Sequence, residues 1–424
     1  MSVADYREDM RGCVRCSSCK WVPFNHMKSH RFSRNCPSIS RFNFHSFSGS
    51  GRMNMGLSVL EGRSELTEKV SEVLYSCQMC GACDTACKSY REIIDITEVL
   101  LELRAECVES GQFMVEHMMT LDALKRENNM LGEPKAERGA WAAGLDLKDI
   151  NKEKVDVMLH VGCRFSYDPE LRGSVRRAVR LLQEAGLDIG TAGAEESCCG
   201  GRAFELGYQG EARNFADDLA ARVKASGARY LLTPCSDGFA AFNYLYPLMG
   251  IELGAEPVHM VQLLDVLISE GKLKLANPIG MRVTYHDPCH LGRMSEPFLG
   301  AWKGDKRDRL RSQSRTGRFG VYEEPRRVLC AVPGLELVEM ERIKEYSWCC
   351  GAGGGVYDAF PEFAIWTARE RLEEAASTGA SAIVTACPWC ERVFMDAVGE
   401  NGFELKILDV VDVVARAAGL EEEE

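Results

Sequence analysis

The stretch SCQMCGACDTACKS, residues 76–89, places four cysteines at intervals of two, two and three residues. This C-x2-C-x2-C-x3-C spacing is typical of iron–sulfur ligation, in which the first three thiolates bind one [4Fe–4S] cluster and the fourth binds a second cluster. Cys77, Cys80, Cys83 and Cys87 therefore predict half of a two-cluster ferredoxin. A second motif must supply the other ligands.

That second motif lies upstream, in GCVRCSSCK, residues 12–20, and is followed by Cys36–Pro37. Interleaving the fourth ligands predicts two sets, one of Cys13, Cys16, Cys19 and Cys87 and one of Cys77, Cys80, Cys83 and Cys36. Cys36 lies 17 residues after Cys19, which indicates an inserted loop, and Cys87 precedes a lysine instead of a proline. A pair of CxxC zinc sites is the alternative, but zinc has no use for three closely spaced thiols in each run.

The size and charge of the chain limit its function class. It has 424 residues, of which 46% are hydrophobic and 27% charged, and a formal net charge of −12. These values predict a soluble protein of two or three domains that does not bind nucleic acid. Neither an apolar leader nor an apolar run of about 18 residues is visible, so we expect no signal peptide and no transmembrane helix. In the cytoplasmic location that we expect, clustered cysteines indicate metal or redox chemistry instead of disulfides.

Downstream of residue 150 the sequence alternates between strand-like and helix-like segments. Strands are predicted at 155–161, 230–233, 281–286, 335–340, 382–386 and 403–408, and helices at 171–185, 211–226, 258–271 and 362–378. This alternation predicts parallel sheets built of βαβ units. Before it, apolar residues at helical spacing over 93–126 predict helices behind the second cluster motif.

This second half is also an internal repeat with a period of about 150 residues. HVGC (160–163) matches HDPCH (286–290), ESCCGGRAFELG (196–207) matches SWCCGAGGGVYD (347–358), and YLLTPCSDGFAAF (230–242) matches AIVTACPWCERVF (382–394). Because ligands gather at the carboxyl ends of parallel strands, each repeat should collect its thiols at one sheet edge. The first repeat supplies Cys163, Cys198, Cys199 and Cys235, and the second supplies Cys289, Cys349, Cys350, Cys387 and Cys390. His160 and His286 precede cysteines of these sets and are candidates for hydrogen bonds to sulfur or for a structural role.

The double CCG pattern behind a two-cluster ferredoxin resembles the heterodisulfide reductase D-type proteins, which fuse a ferredoxin subunit with a CCG subunit. Related proteins are iron–sulfur subunits of glycolate and lactate oxidases and a subunit of ATP-independent benzoyl-CoA reductase complexes. The resemblance covers roughly residues 10–410. It implies that the complete module of Cys289, Cys349, Cys350, Cys387 and Cys390 holds a non-cubane [4Fe–4S] cluster. The first repeat has Gly238 where the family has a fifth cysteine, and four thiols suit an ordinary cluster or a tetrahedral zinc.

The predicted fold is thus α + α/β, a helical two-cluster ferredoxin followed by two repeated parallel α/β modules. We place the ferredoxin domain at 1–130, a linker at 131–152, the incomplete first CCG module at 153–275 and the complete second module at 276–418. The expected cofactors are two cubane [4Fe–4S] clusters, one non-cubane [4Fe–4S] cluster, and a further iron–sulfur cluster or Zn in the first module. No flavin or nucleotide is expected on this chain, because GAGGG at 351–355 belongs to the CCG loop.

These features favour an iron–sulfur electron-transfer subunit of a soluble oxidoreductase complex of anaerobic metabolism. Its partners would be a flavoprotein or dehydrogenase and another redox module, including ferredoxin-type proteins. One alternative is a catalytic disulfide reductase acting at the non-cubane site, and another is a partly structural, zinc-bearing scaffold. The resemblance implies that heterodisulfide cleavage uses two non-cubane clusters, so Gly238 favours the relay.

A basic insertion at 303–327, which includes Arg307, Arg309 and Arg311, interrupts the second repeat. It is interpreted either as a solvated loop or as a docking surface for an acidic partner or an anionic ligand such as a coenzyme A ester.

Overall fold

The computed structural model describes residues 2–90, 94–298 and 315–420. Its amino-terminal part is helical, with α1 (Arg7–Gly12), α2 (Pro37–Phe42), α3 (Gly49–Leu60), α4 (Glu68–Tyr75), α5 (Ala82–Lys88), α6 (Ile96–Glu109) and α7 (Val115–Glu127). Side-chain oxygens of Ser48 and Thr67 accept backbone N–H groups at the starts of α3 and α4. The prediction of helices behind the second cluster motif is confirmed by α6 and α7.

A first sheet of five parallel strands follows, in the order β1-β3-β2-β4-β5. Its strands are β1 (Lys148–Asp149), β2 (Val157–Leu159), β3 (Ile189–Thr191), β4 (Tyr230–Thr233) and β5 (Glu256–His259). Its helices are α8 (Cys163–Tyr167), α9 (Arg172–Glu184), α10 (Gly201–Glu205), α11 (Gln209–Ser226), α12 (Ser236–Ala240), α13 (Tyr246–Leu248) and α14 (Met260–Ser269), with a π-helical turn, Ala241–Leu245, between α12 and α13. The central strands β2 and β4 are the most apolar, and nearly all of their residues are buried.

A second sheet of four parallel strands has the order β7-β6-β8-β9. Its strands are β6 (Met281–Tyr285), β7 (Leu335–Val338), β8 (Ala382–Thr385) and β9 (Lys406–Asp409), and its helices are α15 (Glu323–Cys330), α16 (Val356–Ala359), α17 (Pro361–Ser377), α18 (Pro388–Asn401) and α19 (Val410–Ala418). This order repeats that of β3-β2-β4-β5 in the first sheet. The predicted fold class, with a helical domain followed by two repeated parallel α/β units, is therefore confirmed.

The two sheets belong to one body, because a single apolar cluster contains residues of both, among them Leu159 and Val384. At its edge, Arg177 on α9 forms an ion pair of 2.8 Å with Asp412 on α19. The hydroxyl of Ser236 donates to the carbonyl of Ala386 at 2.7 Å, which joins the loops that follow β4 and β8. The cysteine-bearing edges of the two sheets therefore face each other.

The segment predicted as a linker packs against the first sheet. Within residues 131–152, Arg138 and Trp141 are only 1% and 3% exposed, and β1 pairs with β3. The limits of the domains as predicted from the sequence remain predictions.

Among the described helices, none is both long enough and apolar enough to span a bilayer.

Candidate iron–sulfur centres

The first group of thiols, ferredoxin site 1, consists of Cys13, Cys16, Cys19 and Cys87. The Cys87 thiol on α5 lies within electrostatic range of the other three. Burial raises the pKa of Cys19 to about 11. The structure therefore brings together the four residues predicted to share a cubane, although Cys87 comes from the second motif.

The second group, ferredoxin site 2, consists of Cys36, Cys77, Cys80 and Cys83. Cys36 lies within electrostatic range of Cys77 and Cys80, and burial raises its pKa to about 12. Cys83 lies on α5, one turn before Cys87, and interacts electrostatically with the other three thiols of the group. The inserted loop before Cys36 is fixed by Asn35, whose side-chain amide donates to the carbonyl of Ala82 at 2.6 Å.

The two ferredoxin loops share one backbone conformation. In each, the residues before and after the second cysteine are left-handed: φ is 59° at Arg15 and 70° at Ser17, and 51° at Met79 and 71° at Gly81. Residues other than glycine rarely adopt this conformation, and such residues concentrate at ligand-binding sites. The shared turn shows that both loops are built to converge three thiols on one point.

The third group, CCG site 2, lies at the carboxyl edge of the second sheet and consists of Cys289, Cys349, Cys350, Cys387 and Cys390. Its thiols form a continuous chain of hydrogen bonds, from Cys289 to Cys349, Cys350, Cys390 and Cys387. The hydrogen bond from Cys349 holds the pKa of Cys350 well below the usual value for a thiol. The structure therefore brings all five predicted residues together.

His286 completes the surroundings of CCG site 2. One nitrogen of its ring lies within 4.8 Å of the sulfurs of Cys350 and Cys390. Arg371 donates its Nε–H to Nδ1 of His286 at 3.1 Å, which fixes the ring. His160, at the matching position of the first repeat, binds the carbonyl of Ser197 at 3.1 Å instead of a thiol.

The fourth group, CCG site 1, consists of Cys163, Cys198, Cys199 and Cys235. Its thiols are less closely connected than those of CCG site 2. The Cys198 thiol is hydrogen-bonded to those of Cys163 and Cys199, but Cys235 interacts electrostatically with Cys387 of the second module. Arg138 places Nη1 at 3.7 Å from the sulfur of Cys163 and donates from Nη2 to Glu196 at 2.9 Å. Sequence reasoning missed this buried cation, because it lies in a polar segment that was interpreted as a linker.

The position of the missing fifth cysteine is not crowded. A Cβ added to Gly238 would lie 3.5 Å from Oγ1 of Thr233 and 3.7 Å from the ring of Phe242, which are ordinary contacts. Glycine at this position is therefore not imposed by packing.

The four groups form a row. Ferredoxin sites 1 and 2 share α5, and the thiol of Cys80 in ferredoxin site 2 is hydrogen-bonded to that of Cys349 in CCG site 2. Cys387 then lies within electrostatic range of Cys235 of CCG site 1. Arg293 fixes the first junction, since it donates to the carbonyls of Cys80 at 2.9 Å and Ser347 at 2.7 Å.

A buried network of charges lies beside Cys289, at the junction of the two modules. His290 places Nδ1 at 3.3 Å from the sulfur of Cys289 and Nε2 at 2.6 Å from a carboxylate oxygen of Glu205. Arg202 pairs with Glu205 at 3.1 Å and with Asp237 at 2.8 Å. Although burial favours the neutral acid, the charges of His290 and Arg202 lower the pKa of Glu205 to about 2.

The chemistry of these groups fits iron–sulfur clusters. Cluster iron is held by cysteine thiolates, and each group gathers at least three thiols that are hydrogen-bonded or within electrostatic range of one another.

The structure gives less information about the basic insertion at 303–327. Its residues Arg307, Arg309 and Arg311 lie outside the described residues, and Arg315 and Arg326 are buried in ion pairs with Glu98 and Asp287.

Two family models match the chain. A cysteine-rich domain, CCG, matches residues 157–243 and 283–395, and a 4Fe-4S dicluster domain matches residues 9–90. These ranges contain every cysteine of the four groups. The chain therefore carries 4Fe-4S ferredoxin and cysteine-rich domains in the predicted order.

Curated relatives cover nearly the whole chain. The D-type subunit of the dihydromethanophenazine:CoB–CoM heterodisulfide reductase of Methanosarcina mazei is 30% identical over 427 residues, which cover 97% of this chain and 95% of that protein. The corresponding protein of Methanosarcina acetivorans is 31% identical over 426 residues, with the same coverage of 97% and 95%. An EtfAB:quinone oxidoreductase of Syntrophomonas wolfei is 30% identical over 363 residues, 82% of this chain and 47% of that protein. These matches confirm the resemblance found in the sequence: the chain is an iron–sulfur oxidoreductase subunit and belongs to the family of heterodisulfide reductase D-type proteins.

Proposed function

We propose that the chain is the electron-relay subunit of a multi-subunit oxidoreductase. It would carry electrons between a flavoprotein or dehydrogenase partner and another redox module. The observation that supports this most directly is the row of four thiol groups, in which Cys80 contacts Cys349, Cys387 lies within electrostatic range of Cys235, and Ser236 is hydrogen-bonded to Ala386 at 2.7 Å. Such a row suits the passage of single electrons from one cluster to the next.

Each group has a proposed occupant. Ferredoxin sites 1 and 2 would each hold a cubane [4Fe–4S] cluster, CCG site 2 a non-cubane [4Fe–4S] cluster, and CCG site 1 a further cluster or zinc. The clusters would supply one-electron chemistry along the row. The chain's own contribution is to exclude water from most of the sulfurs and to place buried cations beside some of them, and both factors tune cluster potentials. Arg293 at the junction of ferredoxin site 2 and CCG site 2, and Arg138 beside Cys163, are such cations.

A second candidate function is disulfide reduction at CCG site 2. It is favoured by the names of the relatives from Methanosarcina and by the electrostatic interaction between Cys235 and Cys387 of the two CCG sites. Gly238 opposes it, because CCG site 1 then lacks the fifth thiol of CCG site 2. Turnover of a disulfide by the isolated chain with a chemically reduced dye would rank this function above the relay.

The relay is tested by anaerobic analysis of iron, sulfide and zinc, with EPR, on the wild type and on Cys390→Ser. We expect about twelve irons per chain for three clusters, with zinc absent, or about sixteen if CCG site 1 also holds a cluster. Twelve irons with one zinc would make CCG site 1 structural. Cys390→Ser should lose about four irons and one EPR signal, whereas Cys330→Ser, on an exposed thiol outside the four groups, should change neither. About eight irons, with no effect of Cys390→Ser, would contradict the relay.

A further inference from the structure

The two ferredoxin loops have the same backbone but different surroundings. The outer face of the ferredoxin site 2 loop is covered by the second CCG module. Gln78 and Met79 are only 2% and 1% exposed, and a Cβ added to Gly353 would lie 2.4 Å from the carbonyl oxygen of Gln78. This close docking brings Cys80 against Cys349. The outer face of such a loop is thus where this chain joins one redox module to the next.

Among the described residues, none covers the equivalent face of the ferredoxin site 1 loop. Val14 is 58% exposed, and Arg15 and Cys16 are also exposed. Two exposed aromatic residues extend this face: Phe24, at 84%, and Tyr90, at 58%. They belong to the same surface, since the backbone N–H of Phe24 donates to the hydroxyl of Tyr90 at 3.4 Å and the backbone N–H of Tyr90 donates to the carbonyl of Cys87 at 2.9 Å.

The stretch of sequence that carries most of this face is basic, in contrast to the whole protein. Residues 10–60 contain no Asp or Glu, although the chain has a net charge of −12. Over the same stretch they contain the basic residues Arg11, Arg15, Lys20, Lys28, Arg31, Arg34, Arg41 and Arg52. Arg31 forms an ion pair with Glu370, and Arg52 is buried. Arg15 is exposed, and Lys20 is partly exposed. The Nζ atom of Lys20 lies 2.9 Å from Nδ1 of His45.

We propose that Val14, Arg15, Lys20, Phe24 and Tyr90, the site 1 face, form the docking surface for an acidic redox protein. This inference rests on the proposed relay and names the chemistry of one partner. An apolar centre with a charged rim is the usual anatomy of a specific interface, and opposite charges speed and orient association. The equivalent face of the ferredoxin site 2 loop contacts the second CCG module, which is itself a redox module.

An anionic bilayer is the competing occupant, because basic and aromatic residues also bind membrane surfaces. The protein partner is favoured by the position of Cys16. A predicted cluster ligand at the tip of an exposed loop serves only a partner that has a redox centre of its own.

The experiment measures binding of the cluster-loaded chain to flavodoxin, a small acidic flavoprotein, under anaerobic conditions at low and high salt. Arg15→Glu/Lys20→Glu should weaken binding tenfold or more at low salt and remove most of its salt dependence. The matched control, Lys274→Glu/Lys406→Glu, changes the net charge equally at two exposed lysines outside this face and should bind like the wild type. Phe24→Ser, which alters no charge, should weaken binding at both salt concentrations.

Iron content, measured on every variant, separates this inference from the relay itself. A wild type without clusters would end the relay, whereas a fully loaded wild type that does not bind flavodoxin would overturn only the docking surface. Equal weakening by the Arg15/Lys20 and control variants would also overturn it. Binding of the chain to vesicles containing phosphatidylglycerol, lost in Arg15→Glu/Lys20→Glu while flavodoxin binding is retained, would assign the face to a membrane instead.

Discussion

The thiol of Cys80, in the ferredoxin loop, is hydrogen-bonded to the thiol of Cys349, in the second CCG module. This contact lowers the pKa of Cys80 to about 7, against the effect of burial. It is one of the points at which the amino-terminal domain joins the α/β part of the chain.

Although the two thiols touch, we assign them to different clusters. Cys80→Ser and Cys349→Ser should each remove about four irons, but with loss of different EPR signals, because each serine leaves one cluster a ligand short. Cys107→Ser is the control, since Cys107 is buried on α6 outside the four groups and contacts Ser71. Loss of the same signal in both variants would contradict the assignment.

Arg104 should be essential for the attachment of the ferredoxin domain. It is fully buried and donates to the carbonyls of Leu74, Tyr75, Cys77, Glu205 and Gly354, at 2.7 to 3.3 Å. Arg104→Met leaves these acceptors without their donor, and we expect a loss of about 3 kcal/mol or more in the free energy of unfolding by urea. Arg126→Met removes an exposed ion pair with Asp122 and should cost no more than about 0.5 kcal/mol. Similar losses in the two variants would contradict this role.

Two glycines with the same backbone φ allow the cost of backbone strain to be measured separately from the cost of steric crowding. Gly111 and Gly355 both have φ of 75°, but a Cβ on Gly111 meets no atom of the described residues within 4 Å, whereas one on Gly355 would lie 2.4 Å from Leu206 and 2.5 Å from His117. Gly111→Ala should therefore cost about 1 kcal/mol from backbone strain. Gly355→Ala should cost about 3 kcal/mol, because overpacking is added. Thermal or urea unfolding would measure both, and equal costs would show that the loop moves aside.

The buried His117 should make stability depend on pH. Burial lowers its pKa from 6.5 to about 4, and its Nε2–H donates to the carbonyl of Gly355 at 2.9 Å. As pH falls below 6.5, His117 becomes protonated in the unfolded chain, but in the folded chain it stays neutral until about pH 4. The free energy of unfolding therefore decreases between these two pH values.

Between pH 7.5 and 5.0 the wild type should therefore lose about 2 kcal/mol more than His117→Gln, in urea unfolding. Because the other buried histidines are present in both proteins, the difference between the two pH profiles reports on His117 alone. Parallel pH profiles would show that folding does not lower the pKa of His117.

Much of the fold could be predicted because its central strands are apolar. All six strands expected from the sequence are present, but β1, β3 and β5 were not predicted. Ile189–Thr191 has a central glycine and Glu256–His259 contains a proline, and both are short segments away from the centre of the sheet. Such segments become strands through pairing with a neighbour, and local sequence does not encode that pairing.

The groups of thiols could be predicted from their spacing, but their order in space could not. The hydrogen bond of Cys80 with Cys349 and the proximity of Cys235 to Cys387 depend on how whole domains dock. Arg138 and Arg104 were missed for a related reason. A basic residue in sequence is normally a surface residue, and only the surrounding carboxylate or carbonyls show that these two are buried.

Gly238 has a consequence for how this protein can change. The glycine codons GGT and GGC become the cysteine codons TGT and TGC by one base substitution, and the site would accept the new Cβ at 3.5 Å from Thr233. From either of these codons a cysteine in the first module is one point mutation away, and its Cβ fits the present backbone of α12. Gain or loss of a fifth thiol is then within reach of a single step of natural selection.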